Sequence, residues 1–189
     1  GYQVCPRLWL QATLVSSQCL YMMRDSTVTK ETMPSKKRSW TERLEDDQGL
    51  PRVEEITGKL SKRWGAGTVC IPSPREIDGL MRSVPEGKLV TINELRAAIA
   101  ERHGATIGCP ITTGIFAWIA ANAAEEQRNL GREDTTPYWR TLKSGGEINP
   151  KYPGGVEGQM KLLEAEGHII TRKGKKLLVS DYKTKLHKP

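Results

Sequence analysis

Residues 137–142, "PYWRTL", set a proline, two aromatic rings and a guanidinium in immediate succession. Three readings fit them. Tyr138 is a phenol, protonated at neutral pH because its ordinary pKa is about 10, and it becomes a nucleophile only beside a base. Tyr138 and Trp139 are equally suited to stack on a flat ligand, with Arg140 on a phosphate. They also suit the start of a β-strand, as plain core filler. The other reactive groups do little to choose among these. Cys5, Cys19, Cys70 and Cys109 form no CxxC pair and do not cluster with His103, His168 or His187. That spacing argues against a zinc site and against any cofactor, and the lack of a disulfide framework points to a reducing, cytoplasmic compartment. Cys109, with no adjacent histidine in sequence, reads as buried filler rather than a nucleophile.

The 189 residues suffice for one domain with a core plus extensions. A formal net charge of +7 favours an anionic partner, with nucleic acid the commonest class. Hydrophobic residues make up only 37%, so part of the chain is expected outside a packed core. No apolar run approaches the roughly 18 residues that span a bilayer, which argues against a membrane partner. The stretch after Arg7 is broken by Gln11, Ser16, Ser17 and Gln18, which counts against a signal peptide. Met33 reads as a natural start, so residues 1–32 are expected outside the fold, and residues 1–50 together as a leader and mobile polar arm.

Several elements must position the aromatic segment. Val53, Ile56, Leu60 and Trp64 recur at helical spacing, predicting a helix that stops at Gly65, with "TVCI" (68–71) a short strand; these residues, 51–71, precede the core. Ser73 and Pro74 open a helix with Ile77, Leu80, Met81 and Val84 on one face. Pro85-Glu86-Gly87 turns the chain, Thr91 and Glu94 form a capping box, and Gly104 stops the helix they begin. A second helix, "GIFAWIAANAAEEQRNLG", is expected to be capped by Thr112 or Thr113. Two helices joined by a short turn fit a helix-turn-helix or an ordinary helical hairpin. "YWRTLK" reads as a strand, "SGGEINPKYPGG" as a loop, and "GVEGQMKLLEAEG" as a helix. "HIITRKGKKLLVS" reads as a basic β-hairpin, the pattern of a wing, followed by a basic tail over 181–189.

From about Ile71 to Ile170 the chain resembles the DNA-binding domain of the alkylguanine-DNA alkyltransferases and the alkyltransferase-like proteins. Four stretches carry the resemblance in order: "PEGKLVTINEL", "TTGIFAWIAAN", "PYWRTLKSGG" and "YPGGVEGQMKLLEAEGH". It implies a mainly α fold with small β elements, a winged helix-turn-helix like the alkyltransferase C-terminal domain, over residues 72–180. In that family the duplex lies on the helix-turn-helix by its minor groove, and the alkylated guanine is flipped out because its reactive atom is unreachable in the stack. A cysteine thiolate, activated by a His that a Glu holds, then takes the alkyl group.

This chain departs from the family where that chemistry is done. The nucleophile position is Tyr138 and its histidine partner is Trp139, so the site is degenerate although Glu166 remains at the acidic position. The residue that would insert an arginine into the stack is Thr113, and the family's phosphate-rotating tyrosine corresponds to Ile92. Pro137, Arg140, Tyr152, Gly154 and Gly155 match. The resemblance therefore implies a protein that is not an enzyme and binds duplex DNA, alkylated or distorted, in repair or damage sensing, as a monomer with repair proteins as further partners. Thr112, Thr113, Asn122, Arg140, Lys143, Ser144, Lys173, Lys175 and Lys176 are the expected DNA contacts. Tyr138, Trp139, Tyr152, Gly154 and Gly155 are the expected pocket. Two other readings stay open: a winged-helix scaffold for protein or RNA, and an enzyme of different chemistry using Cys109 or Tyr138.

Overall fold

The computed structural model describes residues 37–189, so the expectation for residues 1–32 lies outside it. The described chain is helix-rich with three small sheets. Its first element overturns part of the arm expectation. Residues Trp40–Leu44 form a short helix (α1) behind a Ser39–Glu42 capping box, and Leu44 is buried in the main core. Docking comes from elsewhere in the chain: the Glu126 carboxylate accepts from the backbone N–H groups of Trp40 (3.3 Å) and Thr41 (2.8 Å) and from the Thr41 hydroxyl (2.7 Å). These are orphan donors of a helix N-terminus, for which a carboxylate is a favourable acceptor.

The helix predicted from Val53 to Trp64 is not there. Arg52–Glu55 is a strand (β1), antiparallel to β2 (Thr68–Ile71), and only Ser61–Trp64 is α-helical (α2). All four β1 side chains are exposed, so the sheet hydrogen bonds of this edge, not an apolar face, decide its conformation. The next two helices follow the local signals. Helix α3 (Pro74–Arg82) starts on a Ser73–Glu76 capping box, and α4 (Ile92–Arg102) on the Thr91–Glu94 box. Two-residue strands β3 (Val90–Thr91) and β4 (Ile107–Gly108) flank α4, and β4 pairs parallel with β2. A Cβ at Gly108 would lie 2.4 Å from the Arg96 carbonyl oxygen, so the turn out of α4 closes only on a glycine.

Helix α5 runs from Pro110 to Asn129 and begins before either predicted cap: Cys109 is the N-cap and Pro110 takes the first turn, where its missing N–H is no loss. Ala117, Ala120, Ala121, Ala123 and Ala124 are all buried along it. Short side chains let α3 and α4 approach closely, and Ile77, Leu80, Met81, Leu95 and Ile99 complete the core there. After α5, Tyr138–Arg140 is a 3-10 turn rather than a strand, and only Thr141–Leu142 extends (β5), parallel to β3. Helix α6 (Gly155–Ala165) then leads into the expected hairpin, β6 (Ile170–Lys173) and β7 (Lys176–Val179). Leu89, Leu142, Ile148, Leu163 and Val179 form a second core beneath this half. The C-terminal residues are not a free tail: the Leu89 N–H donates to the Lys185 carbonyl (2.9 Å), and the His187 N–H to that of Leu89 (2.8 Å). Among the described residues no helix is long and apolar enough to cross a membrane, and no group of three His, Cys, Asp or Glu could hold a metal ion.

Candidate nucleic-acid interface

The 3-10 turn at 138–140 turns Tyr138 toward Glu125 and both Trp139 and Arg140 toward Glu166. Tyr138 is buried in the main core, edge-on to Trp139 (5.5 Å between ring centres) and to Tyr152 (5.9 Å). Its hydroxyl donates to Glu125 of α5 (3.1 Å). Burial, reinforced by the Glu125 charge, pushes the phenol well above its ordinary range. A proton held that firmly leaves no nucleophile at neutral pH. Tyr152 is likewise buried and raised by desolvation.

Trp139 and Arg140 converge on Glu166, at the end of α6. The indole N–H donates to Oε1 (2.6 Å), Arg140 donates from Nη2 to Oε1 (2.8 Å) and from Nε to both oxygens (3.0 Å each), and the Gly87 N–H reaches Oε2 (3.3 Å). The remaining guanidinium nitrogen, Nη1, donates to the Val84 carbonyl (2.7 Å). Arg140 is therefore committed inside the protein and is not displayed for a phosphate. Arg128 stacks over the Trp139 ring at 5.2 Å. Gln159, fully buried, locks the strand behind: its amide donates to the Trp139 and Thr141 carbonyls and accepts from the Asn149 N–H. Gly154 and Gly155 form the turn into α6, with φ of 72° and 62°, where a side chain would be strained. Tyr138, Trp139 and Tyr152 are thus neighbours packed edge to edge, with Tyr138 and Trp139 hydrogen-bonded to carboxylates and the Tyr152 hydroxyl buried without a partner among the described residues.

The open site lies one helix face away. A cavity of about 350 Å³ is lined by Ile92, Ile111, Gly114, Ile115, Trp118, Lys143, Asn149 and Lys151. Ile111 and Ile115, a helical turn apart on α5, are 55% and 46% exposed, whereas Thr113 between them is fully buried. A side chain at 113 enters the core, so that position cannot insert into a duplex. The Thr112 hydroxyl is also buried and lacks a partner among the described residues. Asn122 is further along the helix, its amide donating to the Trp118 carbonyl (2.8 Å). The Ile111–Ile115–Trp118 stripe shows up in the sequence only once α5 is known to start at Pro110, since its helical spacing then separates it from the buried alanines.

Glu147 joins this cavity to the hairpin. Its carboxylate accepts from Lys143 (2.6 Å) and from Lys176 of β7 (3.1 Å), which together hold its pKa below the usual range. The Ile148 N–H also donates to the Leu177 carbonyl (2.9 Å). Lys173 and Lys175 are exposed at the hairpin end, and Ser144 is exposed beside Lys143.

Comparison with known proteins adds one distant likeness. No family model and no curated protein matches the chain. The crystal structure of S. pombe Atl1 in complex with damaged DNA containing O6-carboxymethylguanine does match, at 20% identity and a TM-score of 0.43, over 61% of this chain and 94% of that one.

Cys70 and Cys109 are both buried free thiols. The Cys70 thiol is pushed up to about 11 by burial and by the nearby Glu76 charge, so it stays protonated.

Proposed function

We propose that this chain is a non-enzymatic DNA-binding protein related to the alkyltransferase-like proteins, with α4, the turn at β4 and α5 as its helix-turn-helix and the β6–β7 hairpin as its wing. The observation that carries the reading is the continuity made by Glu147: the cavity at the start of α5 and the basic hairpin form one surface, bearing Lys143, Lys151, Lys173, Lys175 and Lys176. A duplex laid along it meets lysines and apolar side chains together, a combination that suits a minor groove. Arg140, Thr113 and Asn122 support the interface from within, and the contacts shift to the lysines, Ser144 and the exposed face of α5. Damage sensing is the part of the reading that rests on the resemblance of the four sequence stretches.

Titration against matched plain and alkylguanine duplexes at two salt concentrations tests this. Affinity should fall by roughly 0.9 log units per log unit of salt for each phosphate neutralised. Replacing Lys173, Lys175 and Lys176 by Gln should weaken binding to every sequence alike and flatten that slope. Intact-mass measurement after incubation with alkylguanine DNA should show no added alkyl group, because the Tyr138 phenol keeps its proton and Trp139 replaces the base. No affinity at low salt would hand the surface to a protein or RNA partner.

A further inference from the structure

We infer that the segment after β7 is a positioning strap for the DNA interface, in which Tyr182 fixes the loop that presents Lys143 and Ser144; the inference rests on the DNA-binding reading above. The loop, residues 143–147, has little of its own to hold it. Its backbone closes on two hydrogen bonds, from the Lys143 N–H to the Glu147 carbonyl (2.8 Å) and from the Gly146 N–H to that of Lys143 (3.2 Å). Gly145 and Gly146 follow each other with φ of 79° and 78°, in the left-handed region that glycine alone adopts freely. Neither carries a side chain to anchor the turn, and Ser144 and Gly145 face solvent. A phosphate meeting a loose loop of this kind has to order it first, at an entropic cost that lowers affinity.

Tyr182 supplies the anchor from the other end of the domain. A Cβ at Gly146 would overlap its ring, and the three heavy atoms nearest that position all belong to Tyr182. The ring therefore lies directly on the glycine backbone, an approach that any side chain at 146 would block. Tyr182 is itself secured on both sides. Before it, Asp181 turns the chain out of β7 with φ of 50°, and its carbonyl accepts from the Thr184 N–H (3.0 Å) and hydroxyl (2.8 Å). After it, the Lys185 carbonyl and the His187 N–H both bond Leu89, which Leu186 bridges in parallel. Leu89 immediately precedes β3, β3 pairs with β5, and β5 leads straight into the loop. Tyr182 packs on the second core beneath these elements, so it ties the loop to a fixed floor. It reaches DNA only through Lys143 and Ser144, which makes it a positioning residue rather than a contact.

The test uses the full chain and one plain duplex, titrated over a series of salt concentrations. Tyr182→Ala should weaken binding by up to about tenfold and flatten the salt slope by roughly 0.9, the share of one phosphate. Tyr182→Phe keeps the ring and should retain wild-type affinity and slope. The decisive measurement is a double-mutant cycle. Lys143→Gln should weaken the wild type several-fold but cost almost nothing further in Tyr182→Ala, whereas Lys173→Gln, on the hairpin, should cost the same in both backgrounds. A residue that merely supported the fold would diminish both lysines alike. Amide exchange at Lys143 and Gly146, whose N–H groups close the loop, should accelerate in Tyr182→Ala and stay unchanged in α3 and α5. If Tyr182→Ala fails to fold, Tyr182→Leu, which fills the space without a flat ring, carries the same cycle. Equal cost of Lys143→Gln in both backgrounds, or an unchanged salt slope in Tyr182→Ala, overturns the strap and leaves the DNA reading standing. Absence of wild-type binding at low salt overturns both.

Discussion

Glu166 and Glu147 each gather two basic or polar side chains, yet the two carboxylates do different work. Glu166 is 10% exposed at its side chain, and Arg140 is 13% exposed. Four donor groups surround Glu166, and the guanidinium grips it in the fork-to-fork manner that fixes geometry as well as energy. Glu147 is itself well covered, but its lysines are 41% and 65% exposed. Water competes for both ammonium groups, so these pairs are weak and exchangeable. The contrast separates charges that are locked into the fold from charges that stay open to solvent. Both Glu166 oxygens and all three Arg140 nitrogens are hydrogen-bonded, although the nearby His168 Nε2 has no partner among the described residues. Around Glu147 the charges are loosely held at the edge of an open cavity, and on the proposed reading a phosphate displaces the carboxylate from its lysines.

This difference should be measurable, and the largest effect is expected at Glu166. Glu166→Ala leaves the Arg140 charge without its partner in a largely buried site, so equilibrium denaturation should show a loss of about 3–5 kcal/mol. A loss under 1 kcal/mol would mean that the cluster is wetter than its geometry indicates. Next in size is the clamp on α1. Burial works against the Glu126 charge, but hydrogen bonds from the Thr41 side chain and backbone and from Trp40 outweigh it, so its pKa lies below 4.5 in the fold. With the folded value depressed, the clamp contributes fully above pH 4.5 and is lost as pH falls through the folded value. Amide exchange in residues 40–44 should therefore accelerate selectively at acid pH. Glu126→Gln should weaken docking by about 1 kcal/mol at neutral pH and remove most of that acid sensitivity.

A smaller change is expected from Tyr138→Phe, which deletes the hydrogen bond to the partly exposed Glu125 and nothing else. It should cost about 1 kcal/mol or less and leave DNA affinity unaltered. Impaired binding in that variant would show that Tyr138 touches the ligand after all. The smallest effect on stability belongs to Glu147→Gln, under about 1 kcal/mol, read as a shift in melting temperature. Its informative readout is binding: with Lys143 and Lys176 released from the carboxylate, duplex affinity should rise and its salt slope steepen. An unchanged slope would mean that these two lysines do not meet phosphate.

What the sequence determined by itself was local. The N-cap at Ser73, the capping box at Thr91, the glycine stop at Gly104, the α6 segment and the Lys/Gly hairpin turn were all legible. Each is specified by groups three or four residues apart, or by a glycine that supplies a positive φ. The mainly helical character with small strands followed from these. Only tertiary structure decided the rest, because the deciding partners are far away in the chain. Arg52–Glu55 is a strand because β2 offers it hydrogen bonds, against the helical spacing of Val53, Ile56 and Leu60. Residues 40–44 dock because a carboxylate at 126 meets their free N–H groups. Arg140 is consumed by Glu166 and Thr113 is buried beneath α5, whereas Ile111 and Ile115, which composition alone would send to the core, stay outside. Spacing says which residues share a face of a helix; it cannot say which face the rest of the molecule covers.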